Sequence, residues 1–138
     1  MYDITRSIMN TRIMSALFIL ALFILTPLLS VADEACQKEI NHLLSFVGST
    51  GCQFERNGVL YTGTEAVKHI RKKYDYFKNK ISTAEQFIEY CATGSTVSGM
   101  KYHVICRDNN SSESGKWLME ELLLYRQIST VKCIPTSK

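Results

Sequence analysis

The chain has 138 residues and carries 16 Lys and Arg against 13 Asp and Glu, a net charge of +3. That length suits one domain, and so mild a charge excess argues against a nucleic-acid partner. A domain this small gains only modest stability from its core, so a covalent staple would help it.

In chain order, residues 1–12 hold Arg6, Arg12 and one acid, Asp3. Ile13 to Leu29 is a nearly unbroken apolar run, IMSALFILALFILTPLL, and Met9 offers a second start site. Ser30 and Ala32 then supply small residues where a signal peptidase reads. A basic start, an apolar middle and a small-residue end predict a secretory signal peptide over 1–32, cleaved after Ala32. The alternative is an uncleaved anchor, with a run near the lower limit for a bilayer span and Pro27 inside it. The expected destination is periplasmic or secreted, with membrane contact only in transit. Residues 33–138 form the mature domain.

A first helix is expected over about 34–47, with Cys36, Ile40, Leu43, Leu44 and Val47 on one face. GSTG ends it. CQFER and VLYTG flank Asn57-Gly58, a strong hairpin signal because both central residues need positive φ. Thr62 and Glu65 form a T-x-x-E capping box that opens a second helix over about 63–79. Val67, Ile70, Tyr74 and Phe77 are its core stripe. Ser82 and Glu85 repeat the box before a third helix over about 83–92, whose stripe is Ala84, Phe87, Ile88 and Cys91. MKYHVIC alternates and predicts a strand, with Met100, Tyr102, Val104 and Cys106 on one face. RDNNSSESG is expected to be a polar loop, and the last helix to run over about 115–128. The predicted fold is α+β, with four helices and a small antiparallel sheet made of a hairpin plus one strand.

The five cysteines all lie after the signal and read first as disulfides in an exported chain. With no CxxC and no Cys/His spacing of a zinc site, neither a metal nor a cofactor is expected.

STGCQFERNG, EAVKHIRKKY, TAEQFI, STVSGMKYHVIC and WLMEELLLYR occur in this order over about residues 36–127. Together they resemble the YfeK-like family of small exported bacterial proteins, a domain family of unknown function. The resemblance implies an exported bacterial protein, periplasmic where the cell has an outer membrane. It brings no known activity, substrate or catalytic residue. It also implies that Cys52 and Cys106 are cysteines shared by the family, whereas Cys36, Cys91 and Cys133 look like additions in this chain.

Cys52 and Cys106 both fall on strands, on the face of Phe54 and Val104, and are expected to pair. Facing each other on antiparallel strands, they would set Phe54 opposite Val104 and Arg56 opposite Tyr102. A Cys36–Cys133 bridge would tie the first helix to the tail. Cys91, on an apolar stripe, reads as a buried and inert thiol.

Four groups bear on function. Glu65 and His69 share a helical face with Lys72 and Tyr76, opposite the core stripe. A carboxylate orienting an imidazole suits general-base work; the plainer reading is that Glu65 completes the helix cap and His69 packs or faces water. Arg56, Asn57, Ser98, Gly99 and Tyr102 would meet where the hairpin tip approaches the SG turn. An arginine fork and backbone N–H groups there could hold a carboxylate, a sugar or a peptide end. Glu121 lies between Trp117 and Tyr125 on an apolar face and needs a partner, with Arg56 or His69 as candidates. VKHIRKKYDYFKNK, residues 67–80, could touch anionic lipid or cell-wall polymer, or be a solvated face. The resulting reading is a non-catalytic binding module of the bacterial envelope, its partner an unknown envelope ligand or protein. The alternatives are an envelope polymer or peptide hydrolase using Glu65, His69 or Glu121, and a secreted enzyme inhibitor.

Overall fold

The computed structural model describes residues 27–107 and 110–132. The chain divides by its contacts into two units, Met1–Ala35 and Cys36–Lys138. Residues 1–26, with most of the expected signal peptide, lie outside the described residues, and so does Cys133, the expected partner of Cys36. Among the described residues no helix is long and apolar enough to cross a membrane.

The first helix, α1, runs Pro27–Ser49 and starts earlier than its apolar face predicts. Proline is tolerated in a first turn, where its missing N–H has no intrahelical partner, and nothing in SVADEAC breaks the helix. Ile40, Leu43, Leu44 and Val47 form its buried face.

Strands β1 (Gln53–Arg56) and β2 (Val59–Thr62) form the hairpin. Asn57 and Gly58 both have positive φ, 53° and 78°, as a tight two-residue turn requires. Helix α2 (Gly63–Phe77) follows directly. Thr62 caps it, accepting from the Glu65 amide, while Glu65 returns its carboxylate to the Thr62 amide at 2.8 Å. A 3-10 turn at Lys78–Lys80 ends this helix.

Helix α3 (Ala84–Phe87) widens into a π-helical turn at Ile88–Ala92. The Ser82/Glu85 capping box is not the one that forms. Thr83 is the N-cap, accepting from the Gln86 amide at 3.2 Å, and Gln86 reaches back to the Ser82 amide at 2.7 Å. Glu85 is held instead by Arg126, which also forks onto both oxygens of Glu39 at 2.7 and 2.9 Å. A cation offered from across the domain outcompetes a local backbone amide for the carboxylate.

Strand β3 (His103–Ile105) pairs with β1, setting Phe54 opposite Val104, and Cys52 and Cys106 are joined by a disulfide just beyond this ladder. The sheet has one strand more than predicted. Ser111–Glu113 of the expected loop forms β4, giving the antiparallel order β2-β1-β3-β4. Its three side chains are exposed, so no apolar alternation marks it; its backbone pairs with the open edge of β3. Met100 is exposed rather than on the buried strand face, because the ladder begins only at His103. Helix α4 (Ser114–Lys132) is the last described element. Leu118 and Leu122 of α4, Phe87 and Ile88, and the α1 face make the core. The fold is α+β; among the described residues there are four helices and a four-stranded antiparallel sheet stapled by one disulfide.

Candidate functional site

Between α2 and the hairpin the second unit opens a cleft of about 220 Å³. It gathers four of the residues singled out by sequence: Arg56, Glu65, His69 and Tyr102. Phe54, Ala66, Ile70 and Ala92 give it apolar walls, and Tyr61, Lys68, Lys72 and Ser114 complete the lining.

Each side chain is set by local chemistry. Arg56 ends β1, and its partner strand lies beside it. Its Nη2 donates to the Tyr61 hydroxyl at 3.1 Å, and its guanidinium carbon lies 4.7 Å from the Tyr61 ring centroid. A guanidinium stacked on a ring is pre-aimed, and most of its five N–H donors stay available. Tyr102 is held by its backbone. Its amide donates to Thr93 O at 3.0 Å, and its carbonyl accepts from Ser114 N at 2.8 Å. The Thr93 hydroxyl in turn spans the π-helical turn to Ile88 O at 2.9 Å. The widened turn thus fixes the residue that positions Tyr102.

His69 faces the cleft rather than the side opposite the core stripe, with its Nε2 3.3 Å from the Tyr102 hydroxyl. Desolvation, followed by the nearby cations Arg56, Lys73 and Lys72, pushes its pKa down from 6.5 to about 4. The imidazole is therefore neutral at neutral pH. Burial holds the Tyr102 phenol above its ordinary pKa against the pull of Arg56, so it too stays uncharged. Lys73 crosses behind this pair to donate to Gly94 O at 2.6 Å, and burial lowers its pKa.

Glu65 is in the cleft lining, but its carboxylate is spent on the helix cap. The Thr62 amide, then the Thr62 hydroxyl, hold its pKa below the usual carboxylate value. Glu121 does not belong to this group. It pairs with His42 of α1 at 2.6 Å, not with Arg56 or His69. The His42 ring stacks on Tyr125 with centroids 4.0 Å apart, and Phe46 stacks on Trp117 at 4.5 Å. Sequence reasoning found the need for a partner but missed His42, because 79 positions separate the two residues.

The hairpin tip does meet the SG turn: the Ser98 hydroxyl donates to Asn57 Oδ1 at 3.2 Å. Asn57, Ser98 and Gly99 are nevertheless not among the cleft's lining residues. The turn is no open cradle either. The amides of Val97 and Ser98 donate to Ser95 Oγ, Gly99 to Ser95 O, and Met100 to Ser98 Oγ. Cys91 is a buried free thiol, its pKa raised to about 11 chiefly by burial. Among the described residues no cluster of His, Cys, Asp and Glu could hold a metal ion.

The basic run 67–80 divides among several tasks. Lys68 and Lys72 stand in the cleft lining, Lys73 is tied to Gly94, and Arg71, Lys78 and Lys80 are exposed. The cleft can therefore offer cationic donors, a neutral His–Tyr pair and an apolar floor to one small guest.

These features define a small disulfide-stapled α+β domain with a basic, partly apolar cleft. Residues 34–126 match the model of the Family of unknown function (DUF5329), and the chain belongs to that family. It is similar to the Uncharacterized protein YfeK of Salmonella typhimurium, with 33% identity over 85 residues, 61% of this chain and 71% of that protein. No solved structure matches the chain.

Proposed function

We propose that this chain is an exported binding module of the bacterial envelope, non-catalytic, with the α2–hairpin cleft as its ligand site. One observation carries the reading: Arg56, His69 and Tyr102, distant in sequence, line one cavity, with Arg56 and His69 only half-buried. The cavity also fits a binder better than a hydrolase. Glu65 is committed to a cap and Glu121 to His42, so neither carboxylate is placed to drive His69 as a base. A residue kept for a ligand rather than for folding is often neutral or costly to stability.

Thermal unfolding of Arg56→Gln and His69→Gln tests the site. Stability at neutral pH should be unchanged or higher. A loss above about 2 kcal/mol in both would return these residues to the fold and remove the proposal's support. Export is tested separately, by cell fractionation and intact mass. The expected product begins at Asp33 and is found outside the cytoplasm; an uncleaved cytoplasmic chain would overturn that part.

A further inference from the structure

We propose that the guest of this cleft is a small organic carboxylate, its apolar body against Phe54 and Ile70 and its carboxylate on the Arg56 fork, an inference that rests on the binding-site reading above. Four observations lead there.

The charge at the cleft is one-sided. Arg56, Lys68 and Lys72 face a single acid among the lining residues, Glu65, whose Oε2 is engaged by Thr62 N and Oγ1, both at 2.8 Å. A cavity with low-dielectric walls concentrates such a field and draws anions. The floor, in contrast, is apolar: Phe54, Ile70 and Ala92 are buried. A bare inorganic anion would leave that surface unused, so the guest needs an apolar body as well as a charge.

The head group follows from the donors. Phosphates are favoured by clusters of free backbone N–H groups at helix N-termini and glycine turns. Both such features near the cleft are closed. The Glu65 carboxylate already occupies the start of α2, and the amides of Val97, Ser98, Gly99 and Met100 are spent on Ser95 and Ser98. What remains is a planar guanidinium fixed by Tyr61, which suits a planar carboxylate held through two N–H donors. The volume, about 220 Å³, falls below the roughly 300–1,000 Å³ of drug-sized sites. It admits a small acid or the last residue of a peptide, and both present the same chemistry.

His69 supplies the readout. Burial first, and then three neighbouring cations, depress its proton affinity, so a bound anion should partly cancel the cationic share and let the imidazole protonate more readily. The experiment follows the His69 ring signals by NMR, assigned with His69→Gln, in protein isolated from expressing cells. The probes are 3-phenylpropionate, its uncharged amide, phenyl phosphate, and N-acetyl-alanyl-phenylalanine with a free carboxyl end. Both acids should bind saturably and raise the His69 pKa from about 4 to above about 5. The amide should bind at least about tenfold more weakly, a difference of about 1.4 kcal/mol. Arg56→Gln should cost the acids about tenfold and leave the amide unchanged, and Arg56→Lys, which keeps the charge but loses the fork, should cost severalfold. Tighter binding of the peptide assigns a chain end, and equal binding assigns a small free acid; either result supports the carboxylate class.

If acid and amide bind equally and Arg56→Gln changes nothing, the site stands and the carboxylate is overturned. Tighter binding of phenyl phosphate than of both acids overturns it in favour of phosphate. If no probe perturbs His69, the inference and the binding-site reading fall together.

Discussion

Acid should weaken this protein through His69, and the effect can be isolated by replacing that residue with glutamine. Above pH 6.5 the imidazole is neutral in both the folded and the unfolded chain and contributes no pH dependence. Between 6.5 and about 4 the unfolded chain takes up a proton that the folded protein refuses. Stability therefore falls as pH falls through that window, and the penalty is complete below about 4. Each tenfold change in proton affinity is worth about 1.4 kcal/mol, so the full shift corresponds to about 3 kcal/mol. The ring is partly exposed, and solvent screening reduces the expected effect to about 1–2 kcal/mol. Glu65 and Glu85, whose pKa values are lowered by Thr62 and by Arg126, contribute stability that is lost as pH falls through their folded values. That contribution is common to both proteins and cancels in the comparison. The assay is urea unfolding of wild type and His69→Gln at about pH 7, 5.5 and 4, with the two curves subtracted. Wild type should lose about 1–2 kcal/mol relative to the variant, and Arg56→Gln, by removing one cation, should shrink that loss. Parallel curves would refute the argument, since they would mean that the imidazole sits in ordinary solvent without a cationic field.

Gly63→Ala should destabilise by about 2 kcal/mol or more, because a Cβ there would collide with the backbone carbonyl oxygen of Val47; chemical denaturation measures it, and a neutral result would refute the close approach of α1 and α2. Replacing both Cys52 and Cys106 by alanine removes a staple across 54 positions and should cost about 2–4 kcal/mol, read as a lower thermal midpoint that reductant no longer changes. Cys91 should resist alkylation in the native protein, since the thiol is buried with a pKa near 11. Peptide mass spectrometry should find it labelled only once urea unfolds the chain, and rapid native labelling would contradict the burial.

Much of the fold was legible because it depends on short-range rules. Asn57-Gly58 dictates its turn, and Thr62 and Glu65 dictate the start of α2. The apolar stripes name the buried faces of α1 and α3, and the Cys52–Cys106 pair fixes the β1–β3 register. The errors have a different origin. Thr83/Gln86 and Ser82/Glu85 satisfy the same local pattern one residue apart, and the choice is made by Arg126, whose demand for Glu85 appears only when α4 packs nearby. Strand β4 has no side-chain signature because it forms to satisfy the backbone of β3.

The candidate site divides in the same way. Sequence alone could name Arg56 and His69, which turn and cap chemistry leaves unexplained, and Tyr102 as a binding candidate beside them. It also determined the hairpin, the first cap, the helical stripes and the cysteines of the staple, each written in neighbouring residues or a short repeat. Only the tertiary structure decided that those three residues share one cavity, that Glu121 belongs to His42, and that the SG turn has no amides to spare. Those outcomes depend on competition between partners far apart in the chain, and such competition is resolved only when helices and sheet pack and each polar group takes the best partner within reach.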